Sequence, residues 1–274
     1  PLLLSDGGAK PKNRLFISGA STIVHNLWTD AFYYEYNILP SSFSSSYKNI
    51  FITTHLVKEN ILSKLKSICK GFKKSPHGQP KEEYLGSSQP SIAYLYKSKK
   101  IEQQIAIRIW SITEGSVGIQ LDRKYGLISP IIKIACANPN LIKQLRDISK
   151  LNGINFYIGR DTRIWSGLSC LKSASIKSTI AFLNIGGFIR GVKIAKSKSK
   201  YFGGLDKQDV LLGILEFVKR QRENRKLRYA NKDKVYIAIR NIVINREFKN
   251  ERYYLNIFKE EKFDNWYFRS KKCS

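Results

Sequence analysis

Two acids stand out for what surrounds them. Asp30 and Glu114 each follow apolar residues at helical spacing: Ile23, Val24, Leu27 and Trp28 before the first, Ile105, Ile109 and Ile112 before the second. In both places a threonine precedes the acid and an alternating run follows. The runs Phe32-Tyr33-Tyr34-Glu35-Tyr36 and Val117-Gly118-Ile119-Gln120-Leu121 each predict a strand. The expectation is therefore two helices, each ending on a carboxylate just before a strand. Negative charge at a helix C-terminus opposes the helix dipole. Such an acid either merely terminates its helix or is kept there for its chemistry. Carboxylates are hard oxygen donors, and magnesium takes one or two of them alongside phosphate oxygens and waters.

The elements that must position these acids read as a duplication. Residues 49–72 align with 131–154. Each segment opens with a short apolar strand, passes a polar turn and enters a helix. The helices carry Ile61, Leu62, Leu65 and Ile68 in one copy, and Leu141, Ile142, Leu145 and Ile148 in the other. A further strand and helix follow each, from Ser91 and from Trp165. Residues 18–36 then align with 102–120, which brings Asp30 opposite Glu114. Two modules in series explain this order better than one continuous domain.

Composition narrows the partner. Forty-eight Lys and Arg face 21 Asp and Glu, a formal charge of +27, while 42% of residues are hydrophobic. A globular chain so basic repels itself and suits a polyanionic partner. No apolar run is long enough to span a bilayer, which places nucleic acid ahead of a membrane. Cys69, Cys136, Cys170 and Cys273 show no zinc-type spacing; Cys136 and Cys170 lie in apolar, strand-like runs and read as small buried apolar residues, and this usage suits an intracellular, non-secreted protein. His25, His55 and His77 are not spaced for metal binding, and Phe156-Tyr157-Ile158-Gly159 is only half of another nuclease signature.

A helix ending on an acid, twice in one chain, resembles the LAGLIDADG homing endonucleases and their maturase relatives. The stretch IRIWSITEGSVGI at 107–119 carries the resemblance best, with Glu114 at the acidic position and Gly115 after it. IVHNLWTDAF at 23–32 keeps Asp30 but has Ala31 where the family prefers glycine. Both helices carry bulky residues, Trp28 and Arg108 among them, where the family often has small ones. The resemblance covers about residues 15–222. It implies an α+β fold of two pseudo-symmetric β-α-β-β-α repeats, forming a DNA-binding saddle of two antiparallel sheets with the motif helices at the repeat interface. The expected domains are 12–104, 105–222 and a basic C-terminal extension at 223–274.

The resemblance further implies that Asp30 and Glu114 hold Mg2+, or another divalent cation such as Mn2+, against the phosphates of both strands. Lys193 is the expected catalytic cation with Lys196 behind it, and Lys99 or Lys100 is a weaker choice in the first copy. DNA contact falls to residues turned outward by strand alternation: Gln120 and Asp122, the turn Arg123-Lys124, Lys133, Arg160, Arg163 and Trp165. Tyr34, Tyr36, Tyr94 and Tyr96 are their expected counterparts in the first copy, although aromatics in strands more often pack than read DNA. The implied activity is metal-dependent, site-specific cleavage of double-stranded DNA by a monomer with internal pseudo-twofold symmetry. The alternative is a catalytically decayed binding protein, such as an RNA-splicing maturase whose partner is intron RNA, or a DNA-binding regulator.

Overall fold

A computed structural model describes residues 4, 7–46, 50–72, 76, 79–122, 124–224, 227 and 231–259. The order begins β1 (Gly7–Lys10), β2 (Arg14–Gly19), α1 (Thr22–Tyr36), β3 (Ser42–Ser46), β4 (Ile50–Leu56) and α2 (Glu59–Cys69). After α3 (Lys81–Gly86), a 3-10 turn at Ala93–Lys97 and α4 (Lys100–Thr113), the same order returns. It comprises β5 (Gly115–Asp122), β6 (Leu127–Ala135), α5 (Pro139–Leu151), β7 (Tyr157–Arg160), β8 (Leu168–Ser173) and α6 (Ile176–Asn184). Then come α7 (Lys207–Glu223), α8 (Lys232–Ile244) and α9 (Glu251–Lys259). The chain is thus mixed α+β with two four-stranded antiparallel sheets, ordered β1-β2-β4-β3 and β5-β6-β8-β7.

These orders fix the register of the duplication: β1 answers to β5, β2 to β6, α1 to α5, β3 to β7, β4 to β8 and α2 to α6. The register expected from sequence is one strand-helix step out. Residues 50–69 match 168–184, and 131–151 match the β2–α1 segment. Each repeat contains two strand-turn-helix segments with the same polarity pattern, so hydrophobic spacing alone does not tell them apart.

The second correction concerns residues 32–36. They continue α1 to Tyr36, where Asn37 adopts a left-handed conformation and donates its N–H to the Tyr33 carbonyl (2.8 Å) while the Ile38 N–H donates to that of Phe32 (3.5 Å). Aromatic residues favour strands, but Val24, Trp28 and Phe32 recur every four residues and bury one helical face. Asp30 is therefore an exposed residue inside a helix.

The chain divides into two compact units, residues 1–116 with 133–172 and residues 117–132 with 173–274. The expected boundary at 104–105 falls inside α4. In the first unit, α4 packs on α5. Asn138 caps α5, its Oδ1 accepting from the N–H groups of Asn140 and Leu141 at 2.9 Å each, and its Nδ2 donates to the buried Tyr84 hydroxyl. In the second unit α7 is buried nearly all round. It approaches α8 so closely at Gly213 that a Cβ there would lie 2.5 Å from Val243 Cγ2. Residues 232–259, expected as an unassigned tail, form α8 and α9. Asp209 joins α8 to the rest of the unit by accepting from Arg190 and Arg246 at 2.8 Å each. Gln221, 2% exposed, clamps the β5–β6 turn through Ile128 N–H (3.1 Å) and the Gly126 carbonyl (2.9 Å).

Candidate nucleic-acid interface and acid site

The second repeat presents its acid as the sequence predicts. Glu114 is the C-cap of α4, with its N–H donated to Trp110 and its carbonyl accepting from Ala135 N–H at 2.9 Å. The chain passes from helix to β5 without a connecting loop. This needs glycine at 115, because a Cβ there would lie 2.0 Å from the Ser111 carbonyl oxygen. The half-buried Glu114 carboxylate is thereby fixed at the end of a helix whose dipole it opposes.

The first repeat does not present Asp30 in this way. By the strand register, the residue preceding β1 answers to Glu114, and that residue is Asp6. Asp6-Gly7 matches Glu114-Gly115 as an acid-glycine doublet before the first strand. Two residues earlier stand Leu4 and Ile112, both helical and only 1% and 2% exposed. Asp6 itself lies outside the described residues. The doublet was visible in the sequence, but the misplaced register drew attention to Asp30 instead.

Outward alternation on β5 and β6 is as expected. Val117, Ile119, Ile128, Ile132 and Ile134 are buried, while Gln120 and Lys133 are exposed. Asp122 closes the hairpin turn, its carboxylate accepting from the N–H groups of Lys124 (3.0 Å) and Tyr125 (3.3 Å). Lys124 is exposed beside it, and Arg123 lies outside the described residues. Arg160 is exposed at the end of β7. Arg163 is exposed but held by Asp161 through two hydrogen bonds of 2.9 and 2.6 Å. Trp165 is 38% exposed with its ring edge-on to Tyr84.

The first-repeat tyrosines need correcting, because all lie on helical backbone. Tyr34 is 93% exposed on α1. Tyr36 packs on Phe32, and burial first, then Glu35 and Cys69, raises its phenol pKa. Tyr94 and Tyr96 lie on the 3-10 turn. The outward strand face of this repeat is built instead from Arg14, Phe16 and Ser18 on β2, opposite Leu56, Thr54 and Ile52 on β4. Lys10 pairs with Arg14 in the β1–β2 ladder, and its ammonium lies 4.9 Å above the Phe16 ring. Lys12 and Asn13 adopt positive φ in the turn between them, leaving Lys10, Lys12 and Arg14 exposed at the hairpin tip. Sequence reasoning missed this cluster because no strand was expected so early.

The inner face of the first sheet holds two of the three histidines. His25 Nε2 donates to the Gly19 carbonyl (3.0 Å), and Nδ1 faces Thr53 Oγ1 at 2.7 Å. Trp28 Nε1 donates to His55 Nδ1 at 2.9 Å. That bond makes Nε2 the protonated nitrogen of neutral His55, and it has no hydrogen-bond partner among the described residues. Burial accordingly lowers the His55 pKa. These are core residues rather than ligands, and His77 lies outside the described residues.

In the second unit Lys193 is exposed and bridged to Asp206 across an antiparallel pair, and Lys196 is exposed in a 3-10 turn. Lys99 caps α4 and Lys100 begins it. Among the described residues, no three His, Cys, Asp or Glu side chains gather as a ready-made metal cage. No helix there is long and apolar enough to cross a membrane.

No protein-family model matches the chain, and no curated protein matches it. Solved structures do. One is the LAGLIDADG homing endonuclease I-GzeII in complex with its DNA target, with TM-score 0.48 and 10% identity over 87% of this chain and 94% of that one. A second is the meganuclease I-SmaMI bound to uncleavable DNA, with TM-score 0.47 and 9% identity over 88% and 95%. A third is full-length DUF199/WhiA from Thermatoga maritima, with TM-score 0.42 and 12% identity over 91% and 90%.

Proposed function

We propose that this chain is a monomeric, divalent-metal-dependent endonuclease that cuts double-stranded DNA at a specific site. The observation that carries the reading is the repeated β-β-α-β-β-α unit, each copy preceded by an acid-glycine doublet, Asp6-Gly7 and Glu114-Gly115. A charge of +27 and outward strand faces bearing Lys10, Arg14, Gln120 and Lys133 support a duplex as partner.

Glu114 and Asp6 would hold the metal. The fit rests on Glu114, a hard oxygen donor that the α4–β5 junction places at a helix C-terminus, where a cation is electrostatically favoured. Magnesium needs no all-protein cage, since phosphate oxygens and waters complete its octahedron. Held there, a divalent cation would supply charge neutralisation at the phosphate and activation of the attacking water. Gly115 sets where the Glu114 carboxylate sits by allowing helix and strand to meet without a loop. Alternation on β5 and β6 orients Gln120 and Lys133 towards base edges and phosphates. Lys193 and Lys196 are assigned charge relief at the phosphate by their place after α6.

The test is a randomised duplex library incubated with the full chain in Mg2+, in Mn2+ and in EDTA. Cleavage of a selected sequence in either metal but not in EDTA is expected. Duplex binding without cleavage in any metal would transfer the assignment to a DNA-binding regulator. Preference for structured intron RNA over duplex would transfer it to a maturase.

A further inference from the structure

Outside the sheets, one surface of the second unit combines cations with ordered aromatic rings. Tyr201 and Tyr236 stack at 5.1 Å between centroids and 11° between planes, and Phe202 leans on Tyr236 at 5.2 Å. The Lys200 ammonium lies 5.2 Å above the Tyr201 ring, and that of Lys232 lies 5.6 Å above Tyr236. Arg240 donates to the Tyr201 carbonyl and ties the loop to α8. The Tyr236 hydroxyl hydrogen-bonds the backbone of Ile119 and lies 4.0 Å from the position of a Cβ on Gly118. The platform therefore abuts β5, an edge strand of its sheet.

The charges around it are one-sided. Lys193, Lys196, Lys198, Lys200, Lys232 and Lys234 are all exposed. Two acids are close in sequence. Asp206 is engaged as the α7 cap, accepting from the N–H groups of Gln208 (2.8 Å), Asp209 (3.1 Å) and Gly191. Asp233 is exposed in the first turn of α8. Cation–π contacts hold two ammonium groups in place while leaving their N–H donors free for an anion. Among the described residues no ion pair engages Lys198, Lys200 or Lys232, and a lysine cluster ordered by ring contacts suits a polyanion.

We propose that the 193–205 loop and α8 form a phosphate-binding flank that follows the sugar-phosphate backbone of duplex DNA alongside the outward face of β5. The C-terminal helices thereby become part of the DNA interface rather than an appendage. This rests on the duplex-binding reading above and extends it to a surface outside the repeated unit. Duplex DNA is favoured over RNA because β5 and β6 are the antiparallel edge pair of their sheet and turn Gln120 and Lys133 outward, and side chains on paired strands can read a B-form major groove, whereas the A-form major groove is deep and narrow.

The test compares salt dependence of binding to a random-sequence duplex for three full-length proteins. They are the parent, a flank variant (Lys198→Ala, Lys200→Ala, Lys232→Ala) and a charge-matched control (Lys97→Ala, Lys143→Ala, Lys150→Ala). Each lost phosphate contact removes about 0.9 from the slope of log affinity against log salt. The flank variant should lose about 2 to 3 from the slope, the control less than about 1, and both should keep the parental circular dichroism spectrum. A parental slope in the flank variant, with the parent binding steeply, would overturn the flank and leave the duplex reading intact. Failure of the parent to bind duplex at low salt would overturn both. Loss of affinity for single-stranded RNA alone would overturn the flank's assignment to duplex DNA.

Discussion

The two repeats share a strand order but not an interior. The first sheet faces α1 with a polar core, in which Trp28 bonds His55 and His25 sits between Thr53 and Gly19. In the second repeat the corresponding strand β8 buries the smaller Cys170, Leu171 and Ser173, and α5 buries the aliphatic Leu141, Ile142 and Leu145, so no aromatic or histidine side chain from these elements fills that place. The same topology is thus reached with different side-chain chemistry, because alternation and helical spacing specify which face is buried and not what fills it. What both repeats retain is the acid-glycine doublet before the first strand. That contrast between a variable interior and a retained junction is what the following experiments probe.

The largest effect is expected at the acids. Glu114→Gln and Asp6→Asn should each reduce duplex cleavage by at least ~10²-fold, the scale of losing one charge-stabilising group. Asp30→Asn should cleave at the parental rate, since Asp30 lies mid-helix on α1. Duplex affinity in EDTA should be unchanged or slightly higher for the two inactive variants, because a carboxylate facing phosphates is repulsive. If Asp30→Asn were as inactive as Glu114→Gln, the register drawn from the strand order would be wrong.

The junction itself should respond next. Gly115→Ala forces a Cβ against the Ser111 carbonyl and should destabilise the protein by about 1–3 kcal/mol. Gly118→Ala, three residues along the same strand, meets nothing closer than the Tyr236 hydroxyl at 4.0 Å and should stay within about 0.5 kcal/mol. Urea denaturation of the two variants checks this directly. Equal stabilities would mean that the helix-to-strand turn relaxes without cost.

The histidine core gives the first repeat a pH response of its own. His55 titrates below its ordinary 6.5 when folded, so the unfolded chain binds its proton first as pH falls. Stability is therefore fully present above the unfolded value and declines as pH drops from there through the folded pKa. A melting temperature lower at pH 5.5 than at pH 7.5 is expected for the parent, at fixed ionic strength. His55→Gln should melt lower at neutral pH, with a smaller loss on acidification. A parental difference that persists in full in the variant would assign the response to other groups.

Much of the second repeat was legible in the sequence. The α4–Glu114–β5 junction, the inward Val117 and Ile119 and the outward Gln120 and Lys133 all follow from local periodicity. The register of the first repeat was not, since β2–α1 and β4–α2 carry the same pattern of apolar strand, polar turn and amphipathic helix. At Phe32–Tyr36 strand propensity and helical spacing disagreed, and burial of Val24, Trp28 and Phe32 on one face decided for the helix. In α8, Val235, Ile239, Ile242 and Val243 mark the buried face, but exposed Ile237 and Ile244 blur its period. The phosphate flank proposed above joins Tyr201 to Tyr236 across 35 positions, and nothing in local sequence announces such a pairing.

The smallest effect, and the finest comparison of the repeats, concerns the hairpin tips. The first tip carries Lys10, Lys12 and Arg14 with no acid among them, whereas in the second Asp122 closes the turn beside Lys124. If both tips reach phosphates, the first should contribute more to affinity because residues 10–14 include no acid to offset their charge. Lys12→Ala should therefore lower the salt slope by about 0.9, one phosphate contact. Lys124→Ala should lower it by less, since Asp122 already cancels part of the ammonium's field. Asp122→Asn should raise affinity slightly while keeping the turn, because the amide oxygen still accepts from Lys124 N–H. Fluorescence anisotropy across a salt series resolves all three. Equal slopes for Lys12→Ala and Lys124→Ala would show that the two tips meet the duplex alike, and that Asp122 is screened by its own turn.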